Sequence, residues 1–176
     1  MTGVVLGPPA DAAPGTVENV ADLPPMATPR VAAGALIRNP QGHLLLVRPT
    51  YKDGWDIPGG YVEPGESPGA ACLRELKEEI GLTIDLGRLL VVDWAPHPAE
   101  GDKLLFIFDG GTMTDADAAA LTPDGVEIAE IRFHPEADLD GRMPDRLTRR
   151  LRLAAEAARQ GDTIYAEHGA THGLSA

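Results

Sequence analysis

Residues 67–80, SPGAACLRELKEEI, read as a helix with two opposed faces, and that helix dictates much of what must surround it. At about 100° per residue, Glu75, Glu78 and Glu79 fall within roughly 100° of arc, so three carboxylates share one face. Leu73, Leu76 and Ile80 recur at i, i+3 and i+7, a stripe opposite the acids that calls for a core beneath it. The ends are marked as clearly: Glu63-Pro64-Gly65 suits a type II turn, Ser67 can cap, Pro68 fits the first helical position, and Gly81 can take the left-handed stop. Like carboxylates three and four residues apart cost a bare helix roughly 0.2–0.5 kcal/mol per pair. A divalent cation is their natural occupant.

Taken over residues 60–82, the segment resembles the Nudix hydrolase box, G-x5-E-x7-R-E-U-x-E-E-x-G-U with U aliphatic. Gly60, Glu66, Arg74, Glu75, Leu76, Glu78, Glu79, Gly81 and Leu82 fill every fixed position. At about 7% usage for each exact residue and about a third for each aliphatic, a chance match has odds on the order of 10⁻⁹ per window. The resemblance implies an α/β/α sandwich around a mixed β-sheet. It also implies hydrolysis of a nucleoside diphosphate linked to another moiety, a nucleoside triphosphate or a nucleotide sugar such as ADP-ribose, by water attack on phosphorus. The cofactor it implies is Mg²⁺ or Mn²⁺, held by Glu75, Glu78 and Glu79, with the Gly59 carbonyl as a backbone contact. Arg74 then braces a carboxylate, and Glu66 supports the helix start, by accepting first-turn amides, or reaches toward the metal. The general base is either a box glutamate or a downstream acid, for which Glu127 in VEIAEIRF ranks ahead of Glu130 and Asp124. The catalytic set implied is Glu79, Glu75, Arg74 and Glu127. Pro98 stands sixteen residues beyond Leu82, a spacing associated in the family with ADP-ribose hydrolysis, although Pro96 and Pro98 can equally shape the loop around His97.

The 176 residues are one domain's worth. With 15 basic against 27 acidic residues the net charge is −12, which disfavours nucleic acid or an anionic membrane as partner. A small phosphorylated substrate is still compatible, because a bound divalent ion would reverse the local field. Cys72 is the only cysteine and is placed near the edge between the acid face and the core, which excludes a disulfide framework and fits a reducing cytoplasm. The N-terminus lacks a basic start, and no run approaches eighteen apolar residues, so a soluble, unprocessed protein is expected.

Residues 1–29, rich in Pro, Ala and Gly, read as an extension that can drape over the core or pair with a second copy of the chain in a homodimer. Residues 30–160 read as the Nudix domain and 161–176 as a tail. Within the domain, runs at 30–38 and 43–48 flank Asn39-Pro40-Gln41-Gly42 as a hairpin with a type I turn. Further strands are expected at 88–94, 103–108 and 127–133. A last helix opens at Pro144-Asp145, keeps Leu147, Leu151, Ala154, Ala155 and Ala158 in period up to Gly161, and should lie on the other side of the sheet from the box helix.

Arg48, at a strand end near the site loop, reads either as a bidentate phosphate clamp or as a surface arginine. Trp55 and Trp94 offer stacking faces for a base, or serve as core anchors. His168 and His172 at i, i+4 lack a third metal ligand and read as solvated, and Arg146, Arg149, Arg150 and Arg152 read as a solvated helix face, with phosphate binding as the alternative. Two other functions compete with the hydrolase. A nucleotide-sensing module would be expected to lack box glutamates, whereas this chain has them all. A hydrolase of an isoprenyl diphosphate would need an apolar pocket, and an isomerase of such a compound would need a reactive cysteine.

Overall fold

The computed structural model describes residues 26–171; residues 1–25, most of the expected extension, and 172–176 with His172 lie outside the described residues. The hairpin is present: β1 (Arg30–Arg38) and β2 (Leu44–Pro49) are joined by a turn in which the Gly42 amide donates to the Asn39 carbonyl at 2.9 Å. The Asn39 side-chain oxygen accepts from the Gln41 and His43 amides at 3.1 and 2.9 Å, which locks the turn. Beyond the Arg38–Leu44 pair the two strands part. The chain at residues 56–61 fills the wedge. Val47 and Asp56 exchange backbone hydrogen bonds at 2.9 Å, Ala35 donates to the Pro58 carbonyl at 3.1 Å, and β3 (Gly59–Tyr61) runs antiparallel to the start of β1 with Gly59 opposite Gly34. The paired glycines are thereby fixed inside the sheet, not on a free loop.

The remaining strands are β4 (Leu89–Trp94), β5 (Lys103–Thr112), β6 (Ile128–His134) and β7 (Ile164–Glu167), and the order is β6-β2-β1-β5-β4-β7 with β3 beside β1. β1 with β5 and β4 with β7 are parallel and the other pairs antiparallel, so the sheet is mixed as expected. β7 lies in the stretch read from sequence as a tail, where a four-residue strand between Gly161 and Gly169 leaves little periodicity to detect. Helices α1 (Pro68–Ile80) and α3 (Asp145–Gln160) cover opposite faces, and the four-residue α2 (Asp115–Ala118) sits in the polar loop after β5. Successive β2 residues point to opposite faces, Leu45 and Val47 into the α1 layer, Leu44 and Leu46 into the α3 layer, completing the α/β/α sandwich.

Ser67 caps α1 by accepting from Ala70 at 3.2 Å, and Gly81 ends it at φ +70 with the Leu82 amide reaching back to the Leu76 carbonyl at 3.0 Å. Its apolar stripe differs from the expectation. Leu73 is 38% exposed, and the buried row is Cys72, Leu76 and Ile80 at i, i+4 and i+8, each without exposure. Burying Leu76 and Ile80 is worth about 1.5–3 kcal/mol apiece. This row is rotated toward the acids, which carries Cys72 wholly into the core and swings Glu79 inward. α3 keeps its predicted stripe through Leu147, Leu151, Ala154 and Ala155, but also buries Arg150, which corrects the reading of the whole arginine run as solvated.

Candidate active site

The rotation of α1 brings Glu79 against β3. The Gly59 amide donates to Glu79 Oε2 at 2.8 Å. Gly59 has φ +140, and a Cβ there would stand 2.3 Å from the Ala33 carbonyl oxygen; a Cβ on Gly60 would stand 2.3 Å from Glu75 Oε1. Glycine at 59 lets β3 lie against β1, and glycine at 60 lets the Glu75 carboxylate come this close to the strand. Glu79 is 8% exposed. Burial pushes its carboxyl up to about 8, opposed by the Gly59 N–H and reinforced by the charges of Glu75, Asp56 and Glu127. Glu75 is also raised by burial, although Arg74 pulls the other way.

Arg74 organises the rest. Its guanidinium donates to both oxygens of Glu66 at 3.1 Å, to Glu75 Oε1 and Glu78 Oε2 at 3.0 Å, and to the Tyr61 carbonyl at 3.0 Å. The bracing role read from sequence is therefore wider than one carboxylate. Glu66 accepts the Glu63 amide at 3.1 Å, so it closes the turn ahead of the helix and not the first helical turn. The Glu78 side chain is 60% exposed and stands outside the cleft described below.

The loop before β6 is tied to the end of α1: Asp124 donates its amide to the Glu79 carbonyl at 3.0 Å and Thr122 to that of Ile80 at 3.3 Å. Glu127 consequently lines the same cleft as Glu75 and Glu79, and its charge acts on both. Its two rivals are engaged elsewhere. Asp124 accepts the amides of Ile128, Glu127 and Val126, and the first of these leads in holding its carboxyl below the ordinary range. Glu130 pairs with Arg48 and Arg132.

The cleft has a volume of about 680 Å³, the scale of a small-molecule site. Arg48 and Trp55 do not line it, contrary to their expected substrate-binding roles. Arg48 lies directly across from Glu130 on β6 and pairs with it at 3.0 Å. Trp55 packs on the α3-side core with its ring edge-on to His134, centroids 4.3 Å apart. Trp94 and Pro98 are absent from the lining too; the aromatic walls are Tyr51, Tyr61 and Phe106. Cys72 is buried with its thiol pushed up to about 12 by burial and then by Glu75 and Glu79, which removes it as a nucleophile. Missed from sequence were Lys52, Asp56 and Lys103, all in the lining, where they are joined by Arg146 and Arg150 from the run read as a solvated face. The i, i+4 spacings of Lys52 with Asp56 and of Arg146 with Arg150 were the available signal.

Among the described residues, no three acidic, His or Cys side chains converge tightly enough to close around a metal ion. In this arrangement Arg74 donates to Glu75 and Glu78 while the Gly59 amide donates to Glu79. The residues nonetheless fit a hard divalent cation in kind. The donors are all carboxylate oxygens, and Glu79 is a buried acid with no cationic side chain paired to it among the described residues.

A family model described as "NUDIX domain" matches residues 28–155. A Bacillus subtilis protein provisionally named as the ADP-ribose pyrophosphatase YjhB is 35% identical over 118 residues, covering 65% of this chain and 54% of that protein. An RNA pyrophosphohydrolase from Roseobacter denitrificans is 31% identical over 143 residues, covering 70% of this chain and 85% of the relative. Among solved structures, the MutT protein from Methanosarcina mazei Go1 superposes with a TM-score of 0.62 at 26% identity, over 78% of this chain and 99% of that one. The match to the Bacillus relative thus spans about half of that protein's length.

Proposed function

The chain belongs to the Nudix family, and from that premise we propose that it is a metal-dependent pyrophosphohydrolase, cleaving a nucleoside diphosphate linked to another moiety by water attack on phosphorus. The observation that carries this reading is Glu79: a carboxyl buried at the wall of the cleft, beside Glu75 and Glu127, on a helix otherwise packed for stability. Burying an acid without a counter-ion costs stability, and a fold retains such a cost where it serves a site.

Glu75, Glu78, Glu79 and the Gly59 carbonyl are the groups that would hold Mg²⁺ or Mn²⁺. When bound, the ion neutralises phosphate oxygens and lowers the pKa of water. Arg74 positions Glu75 and Glu78 and keeps their charges from repelling. Glu127, exposed and lining the cleft with half-buried Glu75 and buried Glu79, takes the proton from the attacking water, with Glu79 as the box alternative. Tyr51 and Tyr61, both exposed in the cleft wall, offer ring faces to a base or ribose. Among the described residues no helix is long and apolar enough to cross a membrane, and the lone buried Cys72 supports work in a reducing cytoplasm.

The names of the relatives set the test panel: ADP-ribose, nucleoside triphosphates including 8-oxo-dGTP, and 5′-triphosphorylated RNA, with a prenyl diphosphate as outgroup. In Mg²⁺ or Mn²⁺ with product identification, wild type should release a nucleoside monophosphate from at least one of them, or pyrophosphate from the RNA. Glu79→Gln should lower kcat by about 10²–10³. Undiminished turnover by that variant would remove Glu79 from the mechanism.

A further inference from the structure

The cleft holds two clusters of charge that meet at Asp56. Glu75, Glu79 and Glu127 form one; in the other, Arg146 and Arg150 project from the start of α3 one helical turn apart and line the cleft with Lys52. Arg150 is 6% exposed and is held by Asp93, which is fully buried and accepts the Gly169 amide at 3.1 Å on both oxygens. That pairing uses Nε. Arg150 Nη2 is buried and has no hydrogen-bond partner, an omission that buried polar groups seldom show. Arg146 is exposed and, among the described residues, has no carboxylate within ion-pair distance.

These cations also face one another. Burial leads in holding the Arg150 guanidinium below its ordinary range, against the pull of Asp93 and Asp56, and repulsion from Arg146 adds to it. Arg146 likewise repels Lys52, whose partner is Asp56 at 2.7 Å. No side chain caps the start of α3, although Asp145 in its first turn offsets part of the positive potential of the uncapped amides there. Three cations around one hollow, of which Lys52 is shared with Asp56 and Arg150 keeps a buried N–H without a partner, suit an anion. The diphosphate gripped at the carboxylate end would be neutralised there and would not satisfy them.

We propose that the α3 end of the cleft is a phosphate subsite, formed by Arg146, Arg150 and Lys52, that receives a further phosphoryl group of the substrate beyond the diphosphate at the carboxylate end. This rests on the hydrolase reading above and narrows it. The substrate is one with three or more phosphates, or with a phosphorylated second moiety, in preference to a nucleotide joined to a neutral sugar. Asp93 is a positioning residue here, since it aims Arg150 without touching the ligand.

Two measurements test this separately from hydrolysis. With the full chain in EDTA, calorimetric titration of inorganic tripolyphosphate should show binding to wild type and to Arg48→Ala, an equal loss of charge outside the cleft. Arg146→Ala should weaken it at least about tenfold. Arg150→Lys, which keeps a cation opposite Asp93 but loses the planar fork, should weaken it several-fold. Arg150→Ala is avoided here because leaving Asp93 without its counter-ion would mix a loss of stability into the binding measurement. No binding by wild type, or equal binding by Arg146→Ala, overturns the subsite. In Mg²⁺, the ratio of KM for ATP to KM for ADP-ribose should rise about tenfold in Arg146→Ala, and an equal change in both KM values overturns the assignment. If neither compound is hydrolysed, the hydrolase reading fails for them and the tripolyphosphate titration alone decides the subsite.

Discussion

α1 and α3 both begin beside a proline, both stop on a left-handed glycine, and each buries one acidic or basic side chain against the sheet. They treat that charge differently. α3 gives Arg150 a dedicated counter-ion, Asp93, drawn from the strand beneath it. α1 gives Glu79 a single backbone amide and three neighbouring acids; of its two cations, Arg74 pairs with Glu66, Glu75 and Glu78, and Lys77 is exposed. The paired charge is a structural element that also reaches the cleft. The unpaired one is an energetic debt that only an incoming cation or a proton settles.

The sharpest way to break this contrast is Arg150→Ala, which leaves Asp93 buried and alone and should cost about 3–5 kcal/mol in urea unfolding. Replacing both, Asp93→Asn with Arg150→Met, should recover most of that loss; a mild single variant would show that the pair is not needed. Next comes Arg74→Ala. The caps and the buried row of α1 stay in place, so the chain should fold, but with three carboxylates released its affinity for Mn²⁺ should fall about 10–100-fold, read by electron paramagnetic resonance.

Removing the unpaired charge should act in the opposite sense on stability. The folded-state value of Glu79 is raised from 4.5 to about 8. The protonated form is therefore favoured by folding, and the stability it contributes is full below pH 4.5 and lost as pH rises toward 8. In metal-free protein, Glu79→Gln should match wild type at about pH 4 and exceed it by on the order of 2 kcal/mol at about pH 8, after discounting for partial hydration. A thermal melt series across pH decides it, and a variant less stable than wild type at alkaline pH would contradict the burial cost. Smallest of all, Arg48→Ala should shift stability by less than about 0.5 kcal/mol, since its partner Glu130 keeps Arg132.

What was legible in the chain was whatever local chemistry specifies: the capped ends of α1, the locked turn at Asn39, and the carboxylate set of the box helix. Its rotation was not, because Leu73 and Cys72 are both acceptable core residues and only the sheet beneath decides between them. Arg48 and Trp55 looked site-bound by nearness in sequence to Gly59. Register sent one across to β6, and packing sent the other into the α3-side core. Arg150 was read as surface because its partner stands 57 residues away on β4, beyond any helical pattern.

The family match ends at residue 155, inside α3, yet β7 follows it and closes the β4 side of the sheet. Anyone trimming this protein to the matched stretch would strip the last turn of α3, uncover the β4 edge to other chains, and take the Gly169 amide away from Asp93. The short hem that sequence comparison passes over is what keeps one wall of the cleft upright and the molecule out of sticky company.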